Sequence, residues 1–357
     1  MDRSPQHVRF CTAPDGVQLA WEKIGRGAPV VRAAYWLTHI EHDWRSIIWR
    51  PWLEEFARRA TLVRYDQRGC GLSDRDVAEI SFDAWLQDLE AVVDAAGLAR
   101  FTLLGMSQGA AISVAYALRH PERVARMVIY GGFVKGRRRR GTPEQDEEAD
   151  LQERAIRLGW GRENPAFRQI FTSQFMANAS PEQLAAWDEM QRLSCTPETA
   201  ERIVKLTHMI DVAPLLPQLR VPTLVMHSTH DARIPFEQGR LIASLIPGAR
   251  FVPLESAGHT LHPREAAFRT FFDELAAFTA DAPAGTPAEL PSIEGLTARE
   301  LQLLDELARG RSNDEIAALL GISPKTVRNV VSVLFDKLGV PTRAAAIVKA
   351  RESGFGT

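Results

Sequence analysis

The sequence of 357 residues contains a serine held between glycines, Gly105-Met106-Ser107-Gln108-Gly109. A serine hydroxyl attacks a carbonyl only when a base removes its proton and a carboxylate orients that base. Candidates for both lie downstream. Asp231 stands in HSTHDARIP and His259 in ESAGHTLHP, with His230 and His262 close enough to compete for the same roles. Such a set serves acyl transfer, which also needs backbone N–H groups aimed at the developing oxyanion.

These residues need elements to hold them. FTLLG before Ser107 reads as a strand and QGAAISVAYALRH after it as a helix. The flanking glycines permit the tight turn that lifts Oγ clear of a sheet, and the Gln108 N–H opens the helix beside the attacked carbonyl. From residue 8 to about 280, VRFCTAP and VQLAWEKIG flank a Pro-Asp-Gly turn as an opening hairpin. Strands at APVVRAA, TLVRYD, FTLLGM, RMVIYGG, PTLVMHS and ARFVPLE then alternate with helical patterns. This alternation predicts an α/β fold with a mostly parallel, eight-stranded sheet. Asp231 and His259 each follow one of the strands.

One interval departs from the alternation. Residues 137 to about 217 carry helical patterns and no strand, as a helical lid would. The run Arg137 to Arg140 and the acidic EQDEEAD after it read as a solvated surface. The aromatic residues Trp160, Phe171, Phe175 and Trp187 read as lid core, with some lining a pocket beneath it.

The stretch 8 to 280 resembles the α/β-hydrolase superfamily. The resemblance rests on Ser107, Asp231 and His259, their chain order, their places after strands, and DQRGCGLSDR after TLVRYD. It implies Ser107 as nucleophile, Asp231 as acid and His259 as base, in preference to His230 and His262. It also implies a second oxyanion donor after the third strand, where relatives carry His-Gly. Here the stretch is Val31-Arg32-Ala33-Ala34-Tyr35-Trp36, so the donors expected are Gln108 with Tyr35 or Trp36. Bulky side chains crowd that mouth, which puts catalysis in question. Tyr35, Trp36, Met106, Trp160, Phe171, Phe175 and Trp187 are the expected pocket residues, and the expected ligand is small, largely apolar and ester- or lactone-like.

Residues 281–295, rich in Ala, Pro and Gly, read as a linker. Beyond them, 296–357 predicts four short helices. Thr297 and Glu300 form a capping box, Ser312 or Asn313 caps the second helix, and Ser323-Pro324 opens the third. LTARE, SNDEIA, LGISPKTVRN and KLGV resemble the LuxR-type helix-turn-helix domain. The resemblance implies double-stranded DNA as partner, with Lys325, Thr326, Arg328 and Asn329 entering the major groove. Lys337 and Arg343 are expected at phosphates. Val330 stands where many members carry histidine. A homodimer is implied, through an apolar face at Ala345, Ile347 and Val348 that could equally cover the domain's own core.

Forty-three Lys and Arg against forty-five Asp and Glu leave a net charge of −2. This excludes a polybasic coat or an acidic tail and hides a basic end, because from Ser323 onward only Asp336 and Glu352 oppose six cations. With 45% hydrophobic and 25% charged residues, the chain is globular. No apolar run reaches the roughly 18 residues of a membrane span, the N-terminus shows no secretory pattern, and the three cysteines suit reduced thiols. A cytoplasmic protein without metal or cofactor is expected. Two functions fit: a ligand-responsive transcriptional regulator, or a serine hydrolase with an accessory DNA-binding or oligomerisation domain.

Overall fold

The computed structural model describes residues 8–160, 162–176, 179–280, 296–320, 323–340, 342–353 and 355. The expected linker, 281–295, lies outside the described residues, as does the side chain of Phe171. The chain divides into two compact units, Met1–Ala282 and Pro283–Thr357.

The first unit is an α/β fold around one eight-stranded sheet in the order β1-β2-β4-β3-β5-β6-β7-β8. β1 (Arg9–Thr12) and β2 (Gln18–Gly25) form the opening antiparallel pair, and β2 runs antiparallel to β4 (Thr61–Tyr65). β3 (Pro29–Arg32), β5 (Phe101–Met106), β6 (Val124–Tyr130), β7 (Thr223–Ser228) and β8 (Arg250–Leu254) continue the sheet with parallel pairings. β4, β5 and β7 are buried at every residue, as strands covered on both faces must be.

The first helices are α1 (Ile40–Asp43), α2 (Trp49–Arg59), α3 (Phe82–Ala95) and α4 (Gly109–Arg119). The insertion between β6 and β7 carries α5 (Pro143–Gly159), α6 (Ala166–Phe175), α7 (Pro181–Ser194) and α8 (Pro197–Met209). α9 (Phe236–Leu245) and α10 (Ala266–Ala280) complete the unit. Proline at the first turn of α5, α7 and α8 starts each where a missing N–H costs nothing. Trp52 of α2 lies at the centre of an aromatic cluster with Phe268, Phe271 and Phe272 of α10 and Tyr130 of β6.

Charge is also buried here. Arg64 of β4 bonds Glu22 Oε1 at 2.6 Å and the Ile40 carbonyl at 2.6 Å, and forms an ion pair with Asp43. The cluster pins α1 and the segment after β3 to the sheet.

The second unit holds α11 (Ala298–Ala308), α12 (Asn313–Leu320), α13 (Pro324–Leu338) and α14 (Arg343–Glu352). Thr297 and Glu300 form the capping box; at α12, Ser312 rather than Asn313 makes the reciprocal bonds, with Glu315. Val327, Val331, Leu334 and Leu338 are the buried stripe of α13. Among the described residues no helix is long and apolar enough to cross a membrane.

Replacing Arg64 by Met leaves the buried Glu22 without its cation and Asp43 with only Arg32, 4.0 Å away. We expect Arg64→Met to lower the unfolding free energy of this unit by about 3–5 kcal/mol, read from urea unfolding by tryptophan fluorescence. A loss below about 1 kcal/mol, in the range of exposed pairs, would contradict this role.

Candidate functional site

Ser107 occupies the turn between β5 and α4 with φ +50°, a left-handed conformation that a side-chain-bearing residue adopts only under constraint. Its N–H donates to the Tyr130 carbonyl at 3.0 Å. Gln108 is the N-cap of α4, where the backbone N–H groups have no intrahelical acceptor. The Gln108 side chain is held from two sides: Nε2 donates to Gln67 Oε1 at 3.3 Å, and Thr207 of α8 donates to Oε1 at 2.9 Å.

The segment after β3 lies directly on the start of α4. A Cβ at Gly109 would stand 3.0 Å from the Ala34 carbonyl oxygen and 3.1 Å from that of Ala33, so a side chain there would push this segment back by a few tenths of an ångström. Leu37, further along the same segment, is the other non-glycine residue in a left-handed conformation among the described residues, at φ +46°.

Asp231 and His259 meet across the ends of β7 and β8, with His259 Nδ1 2.7 Å from Asp231 Oδ2. Asp231 Oδ1 accepts the N–H groups of Arg233 and Ile234 at 2.8 and 2.9 Å. Burial acts to raise the Asp231 carboxyl; the His259 ring and these bonds outweigh it and hold it below the ordinary carboxylate range. The Tyr130 hydroxyl donates to the His259 carbonyl at 2.7 Å. The competing histidines stand elsewhere: His230 is exposed, 3.6 Å from Glu255, and His262 Nδ1 accepts the Arg264 N–H at 3.1 Å.

Two cavities open at Ser107. One is walled by aromatic groups and is lined by Tyr35, Trp36, Met106, Phe175 and Trp187 of the expected set, together with His259. Trp49 and Tyr130 also line it and were not anticipated, because in sequence both read as packing. Trp160 corrects an expectation. It lies behind the cavity wall, edge-on to Trp36 at 5.9 Å, with Nε1 donating to the Cys195 carbonyl. The other cavity, partly open to solvent, is lined by Ser107, Trp36 and Gln108 and by Arg137, Arg140 and Arg233. The arginine run is thus not wholly a solvated surface. Arg138 pairs with Asp150 and Glu153, while Arg137 and Arg140 face the cavity. Among the described residues no cluster is placed to hold a metal ion.

In the second unit, Lys325, Thr326, Arg328 and Asn329 are exposed on the first two turns of α13, away from its buried stripe. Thr326 also bonds the N-cap Ser323, with 2.8 Å between hydroxyl oxygens. The two cations expected at phosphates also bond within the domain. Lys337 bonds Glu300 at 2.8 Å, and Arg343 bonds Asn313 Oδ1 at 2.7 Å and the Arg311 carbonyl. Their spacing could not show this, since both partners come from earlier helices. In α14, Ala346 and Ala350 are buried and Val348 is exposed.

The family model for the α/β hydrolase fold matches residues 42–266, and the model for bacterial regulatory proteins of the luxR family matches 294–350. The chain belongs to the α/β hydrolase fold family and carries a LuxR-type DNA-binding domain at its C-terminal end. The "Putative carbamate hydrolase RutD" of Azorhizobium caulinodans is 29% identical over 219 residues, which are 59% of this chain and 78% of the relative. The pyrrolizixenacetamide deacetylase of Xenorhabdus hominickii is 26% identical over 207 residues, covering 57% and 74%. Among solved structures, an esterase from Exiguobacterium antarcticum superposes with a TM-score of 0.64 at 25% identity, over 76% of this chain and 98% of the esterase.

Gly131, at φ +55°, stands against the imidazole: a Cβ there would lie 3.1 Å from His259 Cε1. Gly131→Ala is therefore expected to displace the ring from Ser107 and slow fluorophosphonate labelling of that serine about a hundredfold, as small misplacements do. Labelling at the wild-type rate would show that this contact does not position His259.

Proposed function

We propose that this chain is a ligand-responsive, DNA-binding transcriptional regulator whose α/β-hydrolase-fold domain binds a small ester- or lactone-like molecule. One observation carries the reading: cavities lined by Ser107, one of them also by the His259 that Asp231 holds, occur on the same chain as a helix that presents Lys325, Arg328 and Asn329 to solvent. The ligand lies between sheet and insertion, touching Ser107 from the core and Phe175 from α6. Regulation follows if the ligand binds one arrangement of the chain more tightly than another, because only differential affinity shifts a conformational equilibrium. The regulator acts as a cytoplasmic homodimer on an operator.

The Asp231–His259 pair, which shares a cavity lining with Ser107, favours a second reading alongside the first, that of a working serine hydrolase. His259 takes the Ser107 proton, Asp231 holds the imidazole in the tautomer that accepts it, and the Gln108 and Trp36 N–H groups receive the oxyanion. An acyl-enzyme forms and water releases it. The relatives' names, a carbamate hydrolase, a deacetylase and an esterase, fit chemistry at an acyl carbon.

Two variants separate the readings. Arg328→Ala is expected to weaken specific promoter binding by about 1–3 kcal/mol in fluorescence anisotropy. Absence of sequence-specific DNA binding by the wild-type chain at every salt concentration would end the regulator reading. Ser107→Ala is expected to abolish turnover of activated esters while ligand-dependent promoter binding persists. Loss of both would mean that sensing requires the chemistry.

A further inference from the structure

The two cavities that meet at Ser107, Trp36 and Phe175 differ in chemistry. One wall is aromatic. The other brings together guanidinium groups from two parts of the chain, Arg137 and Arg140 at the start of the helical insertion and Arg233 two residues after Asp231.

Nearby carboxylates are already committed. Glu148 pairs with Arg137, and Asp231 is bonded to His259. Arg233 is buried, lies over the Phe175 ring with 5.3 Å to its centroid, and donates Nη1 to the neutral amide oxygen of Gln174 at 3.1 Å. Arg140 donates Nε to the Lys135 carbonyl at 3.0 Å, while its Nη1 is buried without a hydrogen-bond partner among the described residues. Burial, with repulsion from Arg137, pulls Arg140 down to about 10. Burial, with repulsion from Arg137 and Arg140, pulls Arg233 down to about 9. Both stay protonated at neutral pH. His208, on the same wall, is held by burial to about 4 and adds no charge there.

Cations gathered in a desolvated wall, one with an unmet donor, are costly unless an acceptor arrives. Bonds within the fold engage each of the three, Arg137 with Glu148, Arg140 with Lys135 and Arg233 with Gln174, but they leave the Arg140 Nη1 donor over. Arg138 and Arg139 of the same run supply further structural bonds, to Asp150, Glu153 and the Met209 carbonyl. A carboxylate satisfies the guanidinium fork with two parallel bonds and cancels the local repulsion.

We propose that the ligand of this site carries a carboxylate, held by Arg140 and Arg233, with its apolar body among Tyr35, Trp49 and Trp187 and its acyl carbon at Ser107. The site therefore takes the monoester of a dicarboxylic acid, or a carboxylate-bearing lactone, rather than a wholly apolar molecule. This rests on the proposed ligand-binding role of the hydrolase-fold domain and specifies the class of ligand.

The test uses the full chain and two probes of one shape, glutaric acid monoanilide and its methyl ester, with dissociation constants from calorimetry. The acid is expected to bind at least tenfold more tightly than the ester. Arg140→Gln is expected to reduce that ratio at least fivefold and Arg140→Lys to restore part of it. Arg139→Gln, exposed and outside the cavity, should leave the ratio unchanged. Circular dichroism checks the folding of each variant; should Arg140→Gln not fold, the wild-type ratio and Arg140→Lys still decide. Equal binding of the two probes, binding of neither, or a preference that Arg140→Gln leaves intact overturns the assignment. None of these outcomes bears on promoter binding, which is measured separately with DNA.

Discussion

Tyr130 is where the site is tied together. Its carbonyl accepts the Ser107 N–H, holding the strained turn at the end of β5, and its hydroxyl donates to the His259 carbonyl, holding the loop after β8. Its ring packs against Trp52 and Phe271, so both bonds are made from inside the aromatic core. A serine at φ +50° persists only where its surroundings over-determine it. Here the β6 carbonyl and the close approach of Ala33 and Ala34 to Gly109 supply that constraint.

The helical insertion is coupled to the same framework. Thr207 of α8 donates to the Gln108 side chain, and the Phe175 carbonyl at the end of α6 accepts the N–H of Thr260, next to His259. A molecule that displaces Phe175 or Gln108 would therefore move α6 or α8 with it. In the proposed regulator these contacts are the elements that a ligand would bias.

In the C-terminal domain the cations divide by task. Lys337, Arg343, Lys349 and Arg351 close contacts between helices, while Lys325 and Arg328 stand exposed on the first turns of α13. Counting charges in the basic end therefore overstates what is available to a phosphate backbone. Lys337 and Arg343 each spend part of their donor capacity on Glu300 and Asn313.

The sequence by itself determined the eight-stranded α/β fold, the strand-turn-helix around Ser107 and the capped helices of the C-terminal domain. These depend on local periodicity, turn residues and caps, which neighbouring residues carry. It also placed Asp231 and His259 after strands. Only the tertiary structure decided that His259 rather than His230 or His262 meets Asp231, that Trp160 lies behind the cavity wall, and that Arg137 and Arg140 line one cavity with Arg233. Strand order brings the ends of β5, β7 and β8 to one edge, and lid packing decides which side of a short arginine run is enclosed. Neither is written in spacing along the chain, because a charged side chain reads as solvated until a distant segment covers it.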